Sequence, residues 1–346
     1  MSLKGQLKRQ LMGFVQRLQQ SEELRLYANR KAHDYDVIRK AGLYQPSPYG
    51  EVETPRREGG GQASPIFITG RFRSGSTLLW NLFRNLPGHK AFYEPFNERR
   101  WFDPMRRGEH TDTTHRGVTD YWAEYQNLES LTALYNEDWI RYRLYMSETC
   151  FDYRMKRFVD TLVSSSEERA VLQFNRVDFR LPWLRANYPY ARIVHVYRNP
   201  RDQWCSSLRN EGDYPASAMS GSGFVDHFYL GVWARDLVRQ FPFLADYDSH
   251  HRYYLFYMVW KLSYCFGVHY SDISVAMESL TENPSTCMAD VLVAIGADPA
   301  ILGEADLTFV KPVTSRWQDY ADDAWFSRIE QEGEAVIREF FQGVVR

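Results

Sequence analysis

A short apolar run, Pro65-Ile66-Phe67-Ile68-Thr69, opens directly into Gly70-Arg71-Phe72-Arg73-Ser74-Gly75-Ser76-Thr77, and helix-like Leu78–Leu86 follows. A buried strand, a glycine loop and a helix in that order point to an α/β architecture. Backbone N–H groups of such a loop turn inward and the helix N-terminus adds partial positive charge, so a phosphate can bind there. The spacing GxxxxGx[ST] is that of a nucleoside-triphosphate loop with one departure. Ser76 stands where a lysine would reach the terminal phosphates, and Arg73 supplies a cation three residues earlier. The loop can hold a phosphate but lacks the usual lysine for a triphosphate and its magnesium. A glycine turn without a ligand is the plainer reading of these residues alone.

Three further apolar runs read as strands, each leading into a helix: Ala170–Phe174, Arg192–Tyr197 and Ile273–Met277. The alternation predicts a mainly parallel sheet flanked by helices. Segments 100–165 and 210–265 are rich in Trp and Tyr and read as helical caps over the sheet. Upstream, Leu7, Leu11, Phe14 and Leu18 recur at helical spacing, which predicts an amphipathic helix over 4–30 whose apolar stripe packs on the main body or on a second subunit of a homodimer. Pro46, Pro48, Pro55 and Gly59-Gly60-Gly61 then read as a linker. The expected organisation is an N-terminal helix and linker over 1–64 and one domain over 65–346.

A formal net charge of −2 gives no global attraction to nucleic acid or to an anionic membrane, so any anion site must be local. The four cysteines show no CxxC spacing, residues 1–20 contain no secretory h-region, and no apolar run spans a bilayer. A cytoplasmic protein with reduced thiols is the expectation. Glu109, His110, Asp112 and His115 have loosely metal-like spacing but read as a solvated loop, so no metal is expected. His195, inside a strand, reads as a core histidine. His250-His251 either line an acceptor pocket or begin a helix.

The third strand is followed by Arg198-Asn199-Pro200-Arg201-Asp202, with Ser206 eight residues after Arg198. An arginine at a strand end and a serine on the next helix can converge on one phosphate, one through a charged fork and the other through a hydroxyl. Taken with the loop at 70–77, this predicts a ligand carrying two separated phosphates.

Thr69–Thr77 and Arg198–Asp202 with Ser206 resemble the two nucleotide signatures of sulfotransferases that use 3′-phosphoadenosine 5′-phosphosulfate (PAPS). The segment Met277–Pro284 is similar to that family's strand-to-helix joint, and the resemblance covers roughly 65–320. It implies a P-loop-like sulfotransferase fold and transfer of a sulfuryl group from PAPS to a hydroxyl, without a metal. It also implies that Arg71, Arg73, Ser74, Gly75, Ser76 and Thr77 hold the 5′ end, and Arg198 and Ser206 the 3′-phosphate. Lys311, Ser315 and Arg316, in Lys311–Trp317, occupy the place of a loop that closes over the nucleotide.

An acceptor hydroxyl needs a general base. Cytosolic small-molecule members supply a histidine at the end of the second core strand, but here that strand ends Phe174-Asn175-Arg176. Glu94, in Phe92-Tyr93-Glu94-Pro95-Phe96, resembles instead the glutamate base of the carbohydrate and tyrosylprotein branches. It could otherwise pair with Arg99 or Arg100. Arg73 is expected to stabilise the leaving phosphate, with Asn175 or Arg176 assisting. The acceptor is expected to be a small molecule or carbohydrate rather than a protein. A nucleotide or small-molecule kinase and a non-catalytic nucleotide-binding protein are the rival readings; the absent lysine disfavours the first.

Overall fold

The computed structural model describes residues 37–49, 64–208, 212, 214–219, 221 and 223–342. The helix read over 4–30 and linker residues 50–63 lie outside them. Five strands form one sheet: β1 Ile66–Thr69, β2 His89–Tyr93, β3 Arg169–Phe174, β4 Arg192–Tyr197 and β5 Ile273–Ala276. Their order is β2-β3-β1-β4-β5, and every pairing is parallel. The central strand is buried at all four positions, as a strand covered on both faces requires.

The described helices, in chain order, are α1 Ser76–Arg84, α2 Tyr153–Val163, α3 Leu181–Asn187, α4 Pro200–Ser207, α5 Leu230–Leu237 and α6 Arg252–Tyr270, then α7 Met277–Glu282, α8 Pro284–Ala294, α9 Trp317–Tyr320 and α10 Asp323–Gln342. Thr69 pairs with Phe174 on one side and with His195 on the other, so β1, β3 and β4 end nearly level. The chain leaves β1 toward β2 on one side and crosses to β4 on the other. This reversal opens a crevice at the carboxyl ends of the strands, the usual ligand position in such sheets. The glycine loop, Asn175 and Arg198 all emerge there.

Two expectations need correction. Residues 100–152 are not helical: the regular elements there are three short 3-10 turns, Ala123–Tyr125, Glu129–Ala133 and Glu137–Ile140. Within 210–265, α6 is no cap but a core helix, buried from Tyr253 to Gly267. Its fully buried Lys261 pairs at 2.5 Å with Glu334 of α10, whose carboxylate also accepts from Tyr44 and Tyr257. That cluster fastens residues 37–49 and the C-terminal helix to the same side of the domain.

Candidate active site

The loop after β1 has a shape that two glycines permit. A Cβ on Gly70 would lie 2.6 Å from the Val196 side chain and carbonyl, so only glycine lets β1 leave the sheet this close to β4. Gly75 caps α1 at φ 94°, in the left-handed region, and a Cβ there would come within 2.8 Å of Met277. Arg73 also has positive φ, at 67°. The turn thus carries Arg73 beside the free N–H groups at the start of α1, which favours an anion.

The second motif meets the first. Arg73 Nε donates to Ser206 Oγ at 3.0 Å, and Arg198 Nη1 donates to the Arg73 carbonyl at 3.4 Å. Gln203 Nε2, on the same helix as Ser206, donates to the Phe72 carbonyl at 2.8 Å. Burial pulls the Arg198 guanidinium below its ordinary pKa, while Asp202 and Glu278 oppose the shift. Asp202 also accepts from Ser315 Oγ at 2.9 Å and from Arg316 N at 2.8 Å. The 311–316 segment is therefore tied to the helix carrying Ser206, with Lys311, Ser315 and Arg316 exposed.

Glu94 closes the third side of the crevice. It follows β2, an edge strand that the sequence reading missed, and sits 6% exposed at φ 38°. A non-glycine residue in that region is strained by roughly 1–3 kcal/mol, and such strain collects at functional sites. Its Oε1 accepts from Asn175 Nδ2 at 2.5 Å, and its Oε2 from Arg176 Nη1 at 2.8 Å and Asn97 Nδ2 at 2.5 Å. The paired arginine is Arg176, not Arg99 or Arg100. Arg176 also reaches Glu98 at 2.6 Å and lies over the Phe72 ring. Burial would lower the Arg176 pKa, but Glu94 and Glu98 together raise it. Between this network and the loop stands Tyr93, whose hydroxyl is 3.1 Å from Thr77 Oγ1 and is held well above its ordinary pKa by burial and by the neighbouring Glu94 carboxylate.

Arg73, Ser206 and Arg198 thus form one group, Glu94, Asn175 and Arg176 another, with Thr77 bonded to Tyr93, the residue before Glu94. Arg71 and Ser74 turn away: Arg71 lies over the Trp233 ring, and Ser74 is buried behind the loop. Sequence reasoning missed Asn97, Glu98, Tyr93 and Asp202. Only Asn97 left a signal, since a Glu-Pro-Phe-Asn run is turn-like and Asn97 N does bond the Glu94 carbonyl at 2.9 Å. The loop holding Asp112 and His115 is not wholly solvated. His115 is half-buried and its Nδ1 lies 2.6 Å from Tyr121 Oη, while no group of residues able to hold a metal occurs among the described residues. His195 is buried against Ser274, and His251 caps α6 by accepting from Tyr253 N.

An edge of this kind suits a phosphorylated ligand held at two points by an α/β protein. The profile described as "Sulfotransferase family" matches residues 65–274, over half of the chain, and the chain belongs to that family. It is a transferase, and family membership implies PAPS as donor. No curated protein matches the sequence. Among solved structures it is similar to sulfotransferase STF9 from Mycobacterium avium, at 11% identity, with 82% of this chain and 77% of that one covered and a TM-score of 0.38. Sulfotransferase STF1 from Mycobacterium tuberculosis H37Rv gives 18% identity, 82% and 78% coverage and a TM-score of 0.38. The sulfotransferase domain of the Synechococcus PCC 7002 olefin synthase gives 12%, 81% and 98%, and 0.35. Among the described residues no helix is long and apolar enough to cross a membrane.

Proposed function

We propose that the chain moves a sulfuryl group from PAPS to a hydroxyl of a small-molecule or carbohydrate acceptor by in-line displacement, with Glu94 as general base. One observation carries the reading: Arg73, Ser206 and Arg198, drawn from two distant motifs, touch across the ends of β1 and β4. Two cations so placed suit a nucleotide phosphorylated at both ends. The donor set fits PAPS, because permanently charged guanidiniums, a hydroxyl and a helix N-terminus are all groups that bind phosphate.

PAPS, when bound, supplies the sulfuryl group and a phosphate leaving group. The loop N–H groups and Arg73 hold its 5′ end, and Arg198 and Ser206 its 3′-phosphate. Arg73 remains charged throughout, so it can balance negative charge developing on the leaving phosphate. The Glu94 carboxylate takes the acceptor proton. Its Oε1 accepts from one side-chain donor and its Oε2 from two, so Oε1 has the room to accept. Asn175, Asn97 and Arg176 orient it. The Tyr93-Glu94-Pro95 setting supports a place nearer the carbohydrate and tyrosylprotein branches than the cytosolic small-molecule branch.

Thermal denaturation tests the donor. The product nucleotide, 3′-phosphoadenosine 5′-phosphate, is expected to raise the melting temperature more than ADP at equal concentration, because binding to the native state alone stabilises it. Equal shifts would remove the 3′-phosphate site.

A further inference from the structure

His115 stands outside the groups already described, yet beside both. Its loop, residues 112–117, is laid on α1. Asn81 Nδ2 donates to the Arg116 carbonyl at 3.4 Å, and a Cβ on Gly117 would lie 3.3 Å from Asn81 Nδ2 and 3.0 Å from the Phe309 ring. Of these six loop residues five are exposed, and His115 alone turns inward. Its ring meets Tyr121 edge-on at 5.8 Å and Tyr93 at 6.3 Å, and the two tyrosines stack at 4.5 Å. Tyr93 bonds Thr77 at the end of the phosphate loop and continues directly into Glu94. Arg73 and Glu94, on opposite sides of the crevice, both act electrostatically on the His115 ring.

Hydrogen bonding fixes which ring nitrogen carries the proton. Tyr121 Oη accepts from Asp112 N at 2.9 Å and lies 2.6 Å from His115 Nδ1. Burial pushes the Tyr121 hydroxyl up to about 12, so it keeps its proton, and among the described residues no other acceptor bonds it. Tyr121 therefore donates and Nδ1 accepts. Burial also pulls the imidazole below its ordinary pKa, although Asp112 opposes the shift, so at neutral pH the ring is uncharged. A neutral ring that accepts at Nδ1 carries its hydrogen on Nε2. Among the described residues nothing bonds Nε2, so this oriented donor is open to a ligand in the crevice.

We propose that His115 Nε2–H donates to a sulfuryl oxygen of PAPS, a role that rests on the sulfotransferase reading of the crevice. In the transfer the acceptor oxygen bonds to sulfur as the bond from sulfur to the 5′-phosphate oxygen breaks. The acceptor proton goes to Glu94, and the electron pair of the broken bond goes to the leaving phosphate beside Arg73. His115 gives up no proton. It holds the sulfuryl oxygens in line between nucleophile and leaving group, and a donor already fixed by Tyr121 needs no reorganisation to do so. Its neutrality matters, because an imidazolium would attract the Glu94 carboxylate away from the acceptor.

Calorimetric titration of the full chain with PAPS and with 3′-phosphoadenosine 5′-phosphate, which lacks the sulfuryl group, isolates this contact without needing an acceptor. His115→Asn keeps an acceptor for Tyr121 near the place of Nδ1 but has no donor as far out as Nε2. It is expected to lose about fivefold in PAPS affinity, the order of one neutral hydrogen bond, with product affinity changed by less than about twofold. His115→Gln, whose amide nitrogen reaches the place of Nε2, should recover most of the PAPS affinity. Native PAPS affinity in His115→Asn, an equal loss for both nucleotides, or a His115→Gln no better than His115→Asn each overturns the role of His115. A native chain that binds neither nucleotide overturns the donor reading itself, and this contact with it.

Discussion

On the phosphate side, Arg73 makes one side-chain hydrogen bond, to a neutral serine, and Arg198 one long bond, to a carbonyl; neither has a carboxylate within salt-bridge distance among the described residues. Across the crevice Arg176 is clasped by two carboxylates, and Glu94 by three side-chain donors. The same residue types are thus used in opposite ways. In the proposed role, guanidiniums left without carboxylates keep their charge for an incoming phosphate, and burial makes the Arg198 charge costly until one arrives. The Glu94 group is arranged during folding, so if Glu94 is the base, as proposed, orienting it costs little at the moment of reaction.

The widest separation of the two halves comes from Glu94→Gln. Turnover of labelled PAPS with an acceptor found by screening is expected to fall about 10²-fold or more. Affinity for 3′-phosphoadenosine 5′-phosphate should stay within twofold, because Glu94 contacts none of the phosphate-side groups. The melting temperature should also drop, since Arg176 keeps Glu98 but loses its buried partner. Undiminished turnover would show that the proton leaves by another route. Arg198→Ala should act the other way. Nucleotide affinity is expected to fall roughly 10–100-fold, as for one or two charged hydrogen bonds, with little loss of stability because no ion pair is broken. Calorimetry showing full affinity, or a large destabilisation, would erase the contrast.

How far this was legible in the chain follows the same division. The phosphate side is local: strand, glycine turn and helix lie within Ile66–Arg84, and Arg198 and Ser206 within one strand end and one helix. Apolar periodicity and turn residues suffice for such pieces. The side proposed to face the acceptor is assembled from β2, β3 and the turn after β2. Glu94, Asn175 and Arg176 could be singled out, but not that they bond one another, because that depends on β2 pairing with β3. His89–Tyr93 begins with His-Lys and alternates poorly, so as an edge strand it gives no strand pattern of its own. Residues 100–152 mislead for a related reason. Their aromatic side chains suggest a packed helix, yet Tyr121 and Trp101 pack on Tyr93 from irregular chain broken at Pro104, Gly108 and Gly117. Tertiary packing there overrides local preference.

Asp202 offers the finest test of the contrast, because it is a buried carboxylate on the helix that carries Ser206. It does not pair with Arg198 directly, yet it offsets the burial of that guanidinium and fastens residues 315 and 316 through two bonds. Asp202→Asn keeps one carbonyl acceptor but removes the charge and one bond. Nucleotide affinity is expected to fall about threefold to tenfold, the range of one neutral hydrogen bond, chiefly through faster dissociation in stopped-flow displacement. Ser315→Ala should give a smaller effect in the same direction. If Asp202→Asn bound the nucleotide more tightly, the carboxylate would instead be a counter-ion that the phosphate displaces, and the phosphate side would no longer differ in kind from the saturated network around Glu94.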